Sequence, residues 1–468
     1  MGVLMLEMRV EEVESSMSDG FVLSDNILKN EINDNKFDST YSYKASKSLN
    51  DLDLFTKGQP FDFYKELREK APIYFHQPMP TDPEPGYWVL TKYEDIKYVS
   101  MNPKIFSSQY SSGNLLTLGN EENRHPKLFK STIDHMLNLD GEMHLGLRKE
   151  HMPFFKPGHV EELQKKVSVK VTELLDGIAP LGECNLVHHV SQQLPIFTLS
   201  EILGIPEEDR QKLVSWMEFL ELAQYFTYEM IKEQNEGKTD SSPDPAMIEM
   251  FNNMVDEMFD YGRFILKEKR KNPSDDLLSA IANAEIEGKE LTDEFLDGSW
   301  LLIIFAGNDT TRNTISGGIK LLHENQKQKE LLMHDSELLP NFIHETIRCV
   351  SPVIHMRRTS LQETEIRGQR IGPFEKISLW YGAANRDPDI FENPNEFNIL
   401  RENADKHLAF GIGRHTCLGK PIALMQLREF YSQFLTRFKD FELNGEWKVA
   451  PNNFVHAIQE MPIKYTPE

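Results

Sequence analysis

The sequence predicts a mainly α-helical domain carrying small β-sheets. Apolar residues recur at helical spacing over residues 160–178, 194–203, 207–232, 244–269, 292–322 and 418–438, so long helices dominate the chain. Strand-like runs are short, and the clearest pair, residues 73–75 and 87–91, flanks the stretch P-M-P-T-D-P-E-P-G, whose prolines and glycine are turn chemistry. A hydrophobic content of 39% with 27% charged residues is that of an ordinary soluble globular protein.

Composition narrows the function classes. A formal net charge of −23 argues against nucleic acid and against anionic membrane surfaces as partners, and reads chiefly as a solvated surface. The longest apolar run, residues 300–306, is far short of the roughly 20 residues a membrane span needs. The first residues, M-G-V-L-M-L-E-M-R-V, lack a basic region followed by a sustained apolar core, so neither a signal peptide nor an anchor is expected and a cytoplasmic location is. The three cysteines, Cys184, Cys349 and Cys417, are far apart, which disfavours a disulfide framework or a zinc site.

Residues 1–50 are rich in Ser, Asn, Asp, Glu and Lys with little periodicity, and are expected to be a flexible N-terminal extension; residues 51–468 form the domain. A short amphipathic helix over 61–70 and the hairpin of 73–75 with 87–91 should make one wall. Residues 101–137 carry no clean period, and a long irregular loop in a compact domain is usually functional or disordered. Residues 139–157 read as a helix ended by Pro153; His144 and Arg148, four apart, share a face and could grip one anion, or belong to a solvated basic stripe. The polar connection E-Q-N-E-G-K-T-D-S-S-P-D-P separates two long helices. Pro340 opens a further helix carrying Glu345 and Arg348 at i and i+3, a spacing that suits a surface ion pair equally well.

Two stretches depart from ordinary helical packing. Thr292 is a reasonable N-cap for a helix reaching about residue 322, whose middle follows W-L-L-I-I-F with A-G-N-D-T-T. That puts Gly307, Asn308, Asp309, Thr310 and Thr311 where a buried helix should be aliphatic, so the patch is a polar kink or is functional. In F-G-I-G-R-H-T-C-L-G, residues 410–419, Gly411 and Gly413 precede Cys417 just ahead of the last long helix. Free N–H groups and the helix dipole there favour a thiolate, although a lone cysteine is also commonly a small buried apolar residue.

The pattern F-G-x-G-x-H-x-C-x-G, from Phe410 through Gly411 to Cys417 and beyond, resembles the heme-binding loop of the cytochrome P-450 family, in its bacterial soluble class. A-G-N-D-T-T, E-T-I-R and H-x-x-x-R followed by F-x-P agree with that family in order, over roughly residues 51–463. The resemblance implies the cytochrome P-450 fold, with heme b (iron protoporphyrin IX) between a long central helix and a loop whose Cys417 is the metal ligand. It implies His144, Arg148, Arg358 and His415 on the propionates, Ala306 and Gly307 at the oxygen site, and Asp309 with Thr310 relaying protons. Glu345, Arg348 and Arg401 would be a structural cluster behind the heme.

By the same resemblance Leu115, Leu116, Leu118, Val353, Ile354, Met356, Phe454 and Val455 would line the substrate pocket, and Met217, Phe219, Leu220 and Phe226 a lid. Val353, Ile354 and Met356 are expected in a strand, and Phe454 and Val455 in a turn. The implied activity is a monooxygenase that inserts one atom of O2 into a hydrophobic small molecule resembling an alkane, terpene or steroid; a natural-product tailoring oxidase and a heme-binding sensor without turnover are the alternatives. No flavin or iron–sulfur segment follows the last motif, so a separate ferredoxin and ferredoxin reductase, with NAD(P)H as electron source, are expected partners. Arg414, Lys420 and Lys149 would present positive charge to them.

Overall fold

Thr292 is extended (φ −69°, ψ 163°), and Asp293 and Glu294 follow in the first turn, where carboxylates meet the positive end of the helix dipole. The helix that begins there, Asp293–Glu324, is 32 residues long, about 48 Å at the usual rise. Thr292 makes no side-chain capping bond, so charge rather than a hydroxyl marks this start. The computed structural model describes residues 43–77, 86–109, 126–133, 135–219, 233, 245–286 and 288–467.

The central helix packs against helices Pro126–Ile133, Gln193–Leu203, Pro245–Lys271, Leu339–Val350 and Lys420–Arg437. Small residues permit the closest of these approaches: a Cβ on Gly318 would lie 2.0 Å from the Tyr431 hydroxyl, and one on Gly317 2.5 Å from Val350 Cγ2. Tyr431 Oη donates to the carbonyls of Thr314 and Ile315 at 2.8 and 3.0 Å, pinning the last long helix to the central one.

A second, smaller apolar core underlies a five-stranded sheet in the order Ile73–His76, Tyr87–Leu90, Lys376–Trp380, His355–Ser360, Phe106–Ser107. The first two strands are the expected hairpin, paired antiparallel from Ile73 with Leu90 to His76 with Tyr87. Tyr87–Leu90 pairs in parallel with Lys376–Trp380, which in turn pairs antiparallel with His355–Ser360. The expected strand at 353–356 therefore starts two residues late: Val353 instead forms an isolated antiparallel bridge with Val455, and Ile354 N donates to Phe454 O at 2.8 Å.

The helix at 61–70 is Phe61–Lys70, and the expected helix ended by Pro153 is Gly141–His151, continued by a 3-10 turn Met152–Phe155. A compact unit runs from Ala45. Leu49 is fully buried, its amide donates to His76 Nε2, and its carbonyl accepts from Asn453 Nδ2 at 2.9 Å. Among the described residues, no helix is long and apolar enough to cross a membrane.

Candidate functional site

Gly411 (φ 66°) and Gly413 (φ 80°) take left-handed backbone, which a residue with a Cβ enters at a cost. A Cβ on Gly413 would also lie 2.6 Å from the Ser100 carbonyl. The loop so formed closes on itself: Gly411 N donates to Leu408 O at 2.8 Å and Cys417 N to Phe410 O at 2.9 Å. Cys417 stands three residues ahead of helix Lys420–Arg437, and the N–H groups of Gly419 and Lys420 bond its sulfur.

Burial pushes the Cys417 thiol up, while those N–H groups, Arg148 and Lys420 pull it down. Burial has the larger effect; a metal cation bound at the sulfur would offset it and hold the thiolate. Cys417 is nevertheless exposed by surface area. Ala306 is likewise exposed, among mostly half-buried neighbours on the central helix.

Two arginines and two imidazoles gather beside the loop. Arg148 Nη2 donates to Thr416 O at 2.7 Å, the His144 and His415 rings stack at 4.1 Å, and Arg358 acts electrostatically on His415. Burial, then repulsion from His415 and Arg148, lowers the His144 pKa to about 4. Burial is also the largest influence lowering His415, opposed by its hydrogen bond to Asp140. Two guanidiniums and two imidazoles, with one carboxylate among them, make a largely desolvated group suited to take a dianion. Heme carries two propionates, so the thiol, the cations and the accessible Ala306 fit it together.

A model of the cytochrome P450 family matches residues 238–466. Linalool 8-monooxygenase of Pseudomonas putida is 31% identical over 422 residues, covering 90% of this chain and 99% of that protein. The chain belongs to the cytochrome P450 family. A steroid C26-monooxygenase of Rhodococcus jostii is 29% identical, covering 89% of this chain and 84% of that one. Among solved structures, a Mycobacterium marinum cytochrome P450 in complex with pseudoionone has a TM-score of 0.79 at 29% identity, covering 91% of this chain and 100% of that chain. This P450 is thus a heme-thiolate monooxygenase. Bound through sulfur, heme b supplies the activation of O2 and the transfer of one oxygen atom to carbon.

The chain's own residues surround that chemistry. In the central helix, Asn313 Nδ2 donates to Asp309 O and Thr314 Oγ1 to Thr310 O, each at 2.7 Å, and Thr310 Oγ1 lies 3.5 Å from Ala306 O. Such bonds loosen the helical ladder around Ala306–Thr310. The Asp309 carboxylate is 3.4 Å from Arg312 Nη2 and accepts from Asn308 Nδ2 at 3.2 Å. Gly307 is turned toward helix Gln193–Leu203, where a Cβ would lie 3.0 Å from Leu199 Cδ1, so helix packing accounts for this glycine. Asn313 Oδ1 also accepts from Ile458 N at 2.6 Å, tying the helix to the C-terminal hairpin.

Val353, Met356, Phe454 and Val455 are half-buried, and Ile354 is buried. Leu115, Leu116, Leu118, Leu220 and Phe226 lie outside the described residues. Met217 is buried and Phe219 packs on Phe251, ring centroids 5.6 Å apart. Behind the loop, Glu345 accepts from Arg348 Nε at 2.7 Å and from Arg401 Nε at 3.1 Å, and the backbone N–H of Asn398 adds a bond at 2.9 Å. All three side chains are buried, which removes the surface ion pair as an explanation of E-x-x-R.

Three site residues escaped the sequence reading. Asp140 and Arg312 are the partners of His415 and Asp309, and Asn313 is the hairpin tie. Arg312 could have been found from its i+3 spacing to Asp309; Asp140 carries no such signal.

Proposed function

We propose that this P450 hydroxylates a hydrophobic, largely aliphatic small molecule of the alkane, terpene or steroid kind. The reaction is R–H + O2 + two electrons + two protons giving R–OH + H2O. A ferredoxin delivers the electrons in the cytoplasm, recharged by a ferredoxin reductase from NAD(P)H. The observation that carries this reading is accessible apolar surface, exposed Ala306 and half-buried Val353, Met356, Phe454 and Val455, in the same domain as accessible Cys417. An apolar wall selects by shape and desolvation and gives a charged substrate nothing to pair with. The relatives named for linalool, steroid and methyl-branched lipid substrates support the same class.

In this reading Asp309 and Thr310 pass protons toward the oxygen site beside Ala306, as reductive cleavage of O2 requires. Each is one helical turn or less from that residue. His144, Arg148, Arg358 and His415 hold the propionates. Glu345, Arg348 and Arg401 keep the Cys417 loop from shifting.

The test begins with the carbon monoxide difference spectrum of the reduced protein, in which the thiolate band should appear and should vanish in Cys417→Ala. A panel of linear alkanes, monoterpenes and sterols is then scored for loss of the iron-bound water, and the best ligands are incubated with a surrogate ferredoxin, its reductase and NADH. A hydroxylated product that takes its oxygen from 18O2 is expected. Ligand binding without oxygen-dependent product, under conditions where the surrogate reduces the iron, would turn the reading toward a sensor; preference for charged ligands would overturn the substrate class.

A further inference from the structure

Asp140 stands immediately ahead of helix Gly141–His151, in extended backbone (φ −125°, ψ −178°), and its carboxylate makes no capping bond to that helix. Its two oxygens point elsewhere. Oδ2 accepts from Ser107 Oγ at 2.6 Å and from Ser108 N at 2.9 Å, which fixes it to the edge strand Phe106–Ser107. Oδ1 lies 3.4 Å from His415 Nε2, and that imidazole stacks on His144. One side chain therefore joins three parts of the chain: the strand Phe106–Ser107, the helix bearing His144 and Arg148, and the cysteine loop.

We propose that Asp140 is a positioning residue for heme binding: anchored by Ser107 and Ser108, it sets the orientation of His415, the propionate contact nearest the metal-ligating cysteine in sequence. This rests on the heme reading of the site. An imidazole held at Nε2 by an anchored carboxylate and stacked on a second ring has its plane fixed, as a metal-ligating histidine is fixed by its outer partner. The carboxylate is itself fixed before any ligand arrives, because two donors from the sheet hold its other oxygen. A rigid, already oriented contact loses less entropy on binding than a free one.

The test measures heme transfer from the purified holoprotein to excess apomyoglobin, which needs no turnover. Asp140→Asn keeps the shape and the Ser107 side of the site but presents an amide to His415, and should speed heme loss about tenfold. The propionate bending band in the resonance Raman spectrum should shift with it. If the effect runs through His415, the double variant Asp140→Asn/His415→Gln should lose heme no faster than His415→Gln alone. A merely structural role would give additive losses and an unmoved propionate band, and either result overturns the proposal. Should Asp140→Asn yield no folded holoprotein, Ser107→Ala removes one anchor and leaves the carboxylate; it should speed heme loss several-fold and show the same non-additivity with His415→Gln. Unchanged heme loss in that variant would sink the idea. Wild-type protein lacking the thiolate band with carbon monoxide would be a failure of the heme reading instead, and the two are read in separate measurements.

Discussion

His355, His456 and His135 are buried imidazoles whose pKa values burial lowers to about 4 from an ordinary 6.5. His355 is stacked on Trp380 at 4.7 Å with Nδ1 2.8 Å from Asn453 O, and His456 sits 6.0 Å from Trp447, so neither has room or partners for a second proton. The unfolded chain takes up those protons near pH 6.5 and the folded chain does not until about pH 4. Between these limits the unfolded state binds more protons, so stability falls as pH falls, by up to about 1.4 kcal/mol per pH unit for each group, and is level above about pH 7. Urea unfolding followed by tryptophan fluorescence should therefore give a midpoint that drops from neutrality to about pH 5, and His355→Gln with His456→Gln should flatten the drop. A midpoint indifferent to pH over that range would refute the assignment. At this scale the sequence was legible wherever chemistry imposes a short local pattern. Cys417, Gly411 and Gly413 lie within one ten-residue stretch, and His144 with Arg148 is an i, i+4 pair. Asp140 was not legible, because its partner His415 is 275 residues away and an aspartate ahead of a helix reads as an ordinary cap.

Helix extents followed from periodicity and from proline and charge at the ends: Phe61–Lys70 falls at its expected limits, and Asp293–Glu324 begins where Thr292 and two acids mark it. The five-residue π-turn Val187–Ser191 had no such mark, since a π-turn differs from an α-turn by one inserted residue and not by residue type. Its purpose is visible only in the packing, where Ser191 and Ser316 hydroxyls bond at 2.9 Å between that turn and the central helix. What the pattern likewise hid is how near the elements lie. Gly317 and Gly318 look like weak points in a helix, each costing about 1 kcal/mol against alanine. Yet a Cβ on Gly318 would lie 2.0 Å from Tyr431 Oη, whose ring is held edge-on by Phe342 at a centroid separation of 4.8 Å. Gly318→Ala should thus destabilise the protein by about 1–3 kcal/mol despite its better helix propensity. Tyr431→Phe removes the clashing oxygen, so the double variant should unfold at higher denaturant than the sum of the two single losses predicts. Strict additivity would mean that the two side chains do not compete for that space.

For the whole molecule, the helical body was readable because most of its contacts lie along amphipathic faces, whereas the order of the five-stranded sheet was not. Its parallel pairing of Tyr87–Leu90 with Lys376–Trp380 joins segments almost at opposite ends of the domain, and no local signal fixes such a register. Charge is the other property that belongs to the molecule as a whole. A net −23 repels an anionic one-electron carrier at long range, so productive docking needs a local reversal of field. Around the cysteine loop Arg414 and Lys149 are exposed, while Lys420 is turned over the Phe410 ring at 5.5 Å and is only half-buried. The expected docking charges thus reduce to Arg414 and Lys149, and Lys420 acts on the sulfur through its own backbone N–H. Replacing both exposed residues by glutamate should slow reduction by an acidic ferredoxin at least tenfold at low salt, with the loss shrinking as salt screens both the wild-type attraction and the new repulsion. Because neither residue is among the apolar side chains proposed to meet the substrate, the substrate-induced loss of iron-bound water should be unaltered in the same protein. Stopped-flow reduction under carbon monoxide reads the first quantity and an equilibrium titration the second. Equal reduction rates in wild type and variant at every salt concentration would place the docking face away from the cysteine loop, and the −23 molecule would then have to receive its electrons through a surface that does not offset its field.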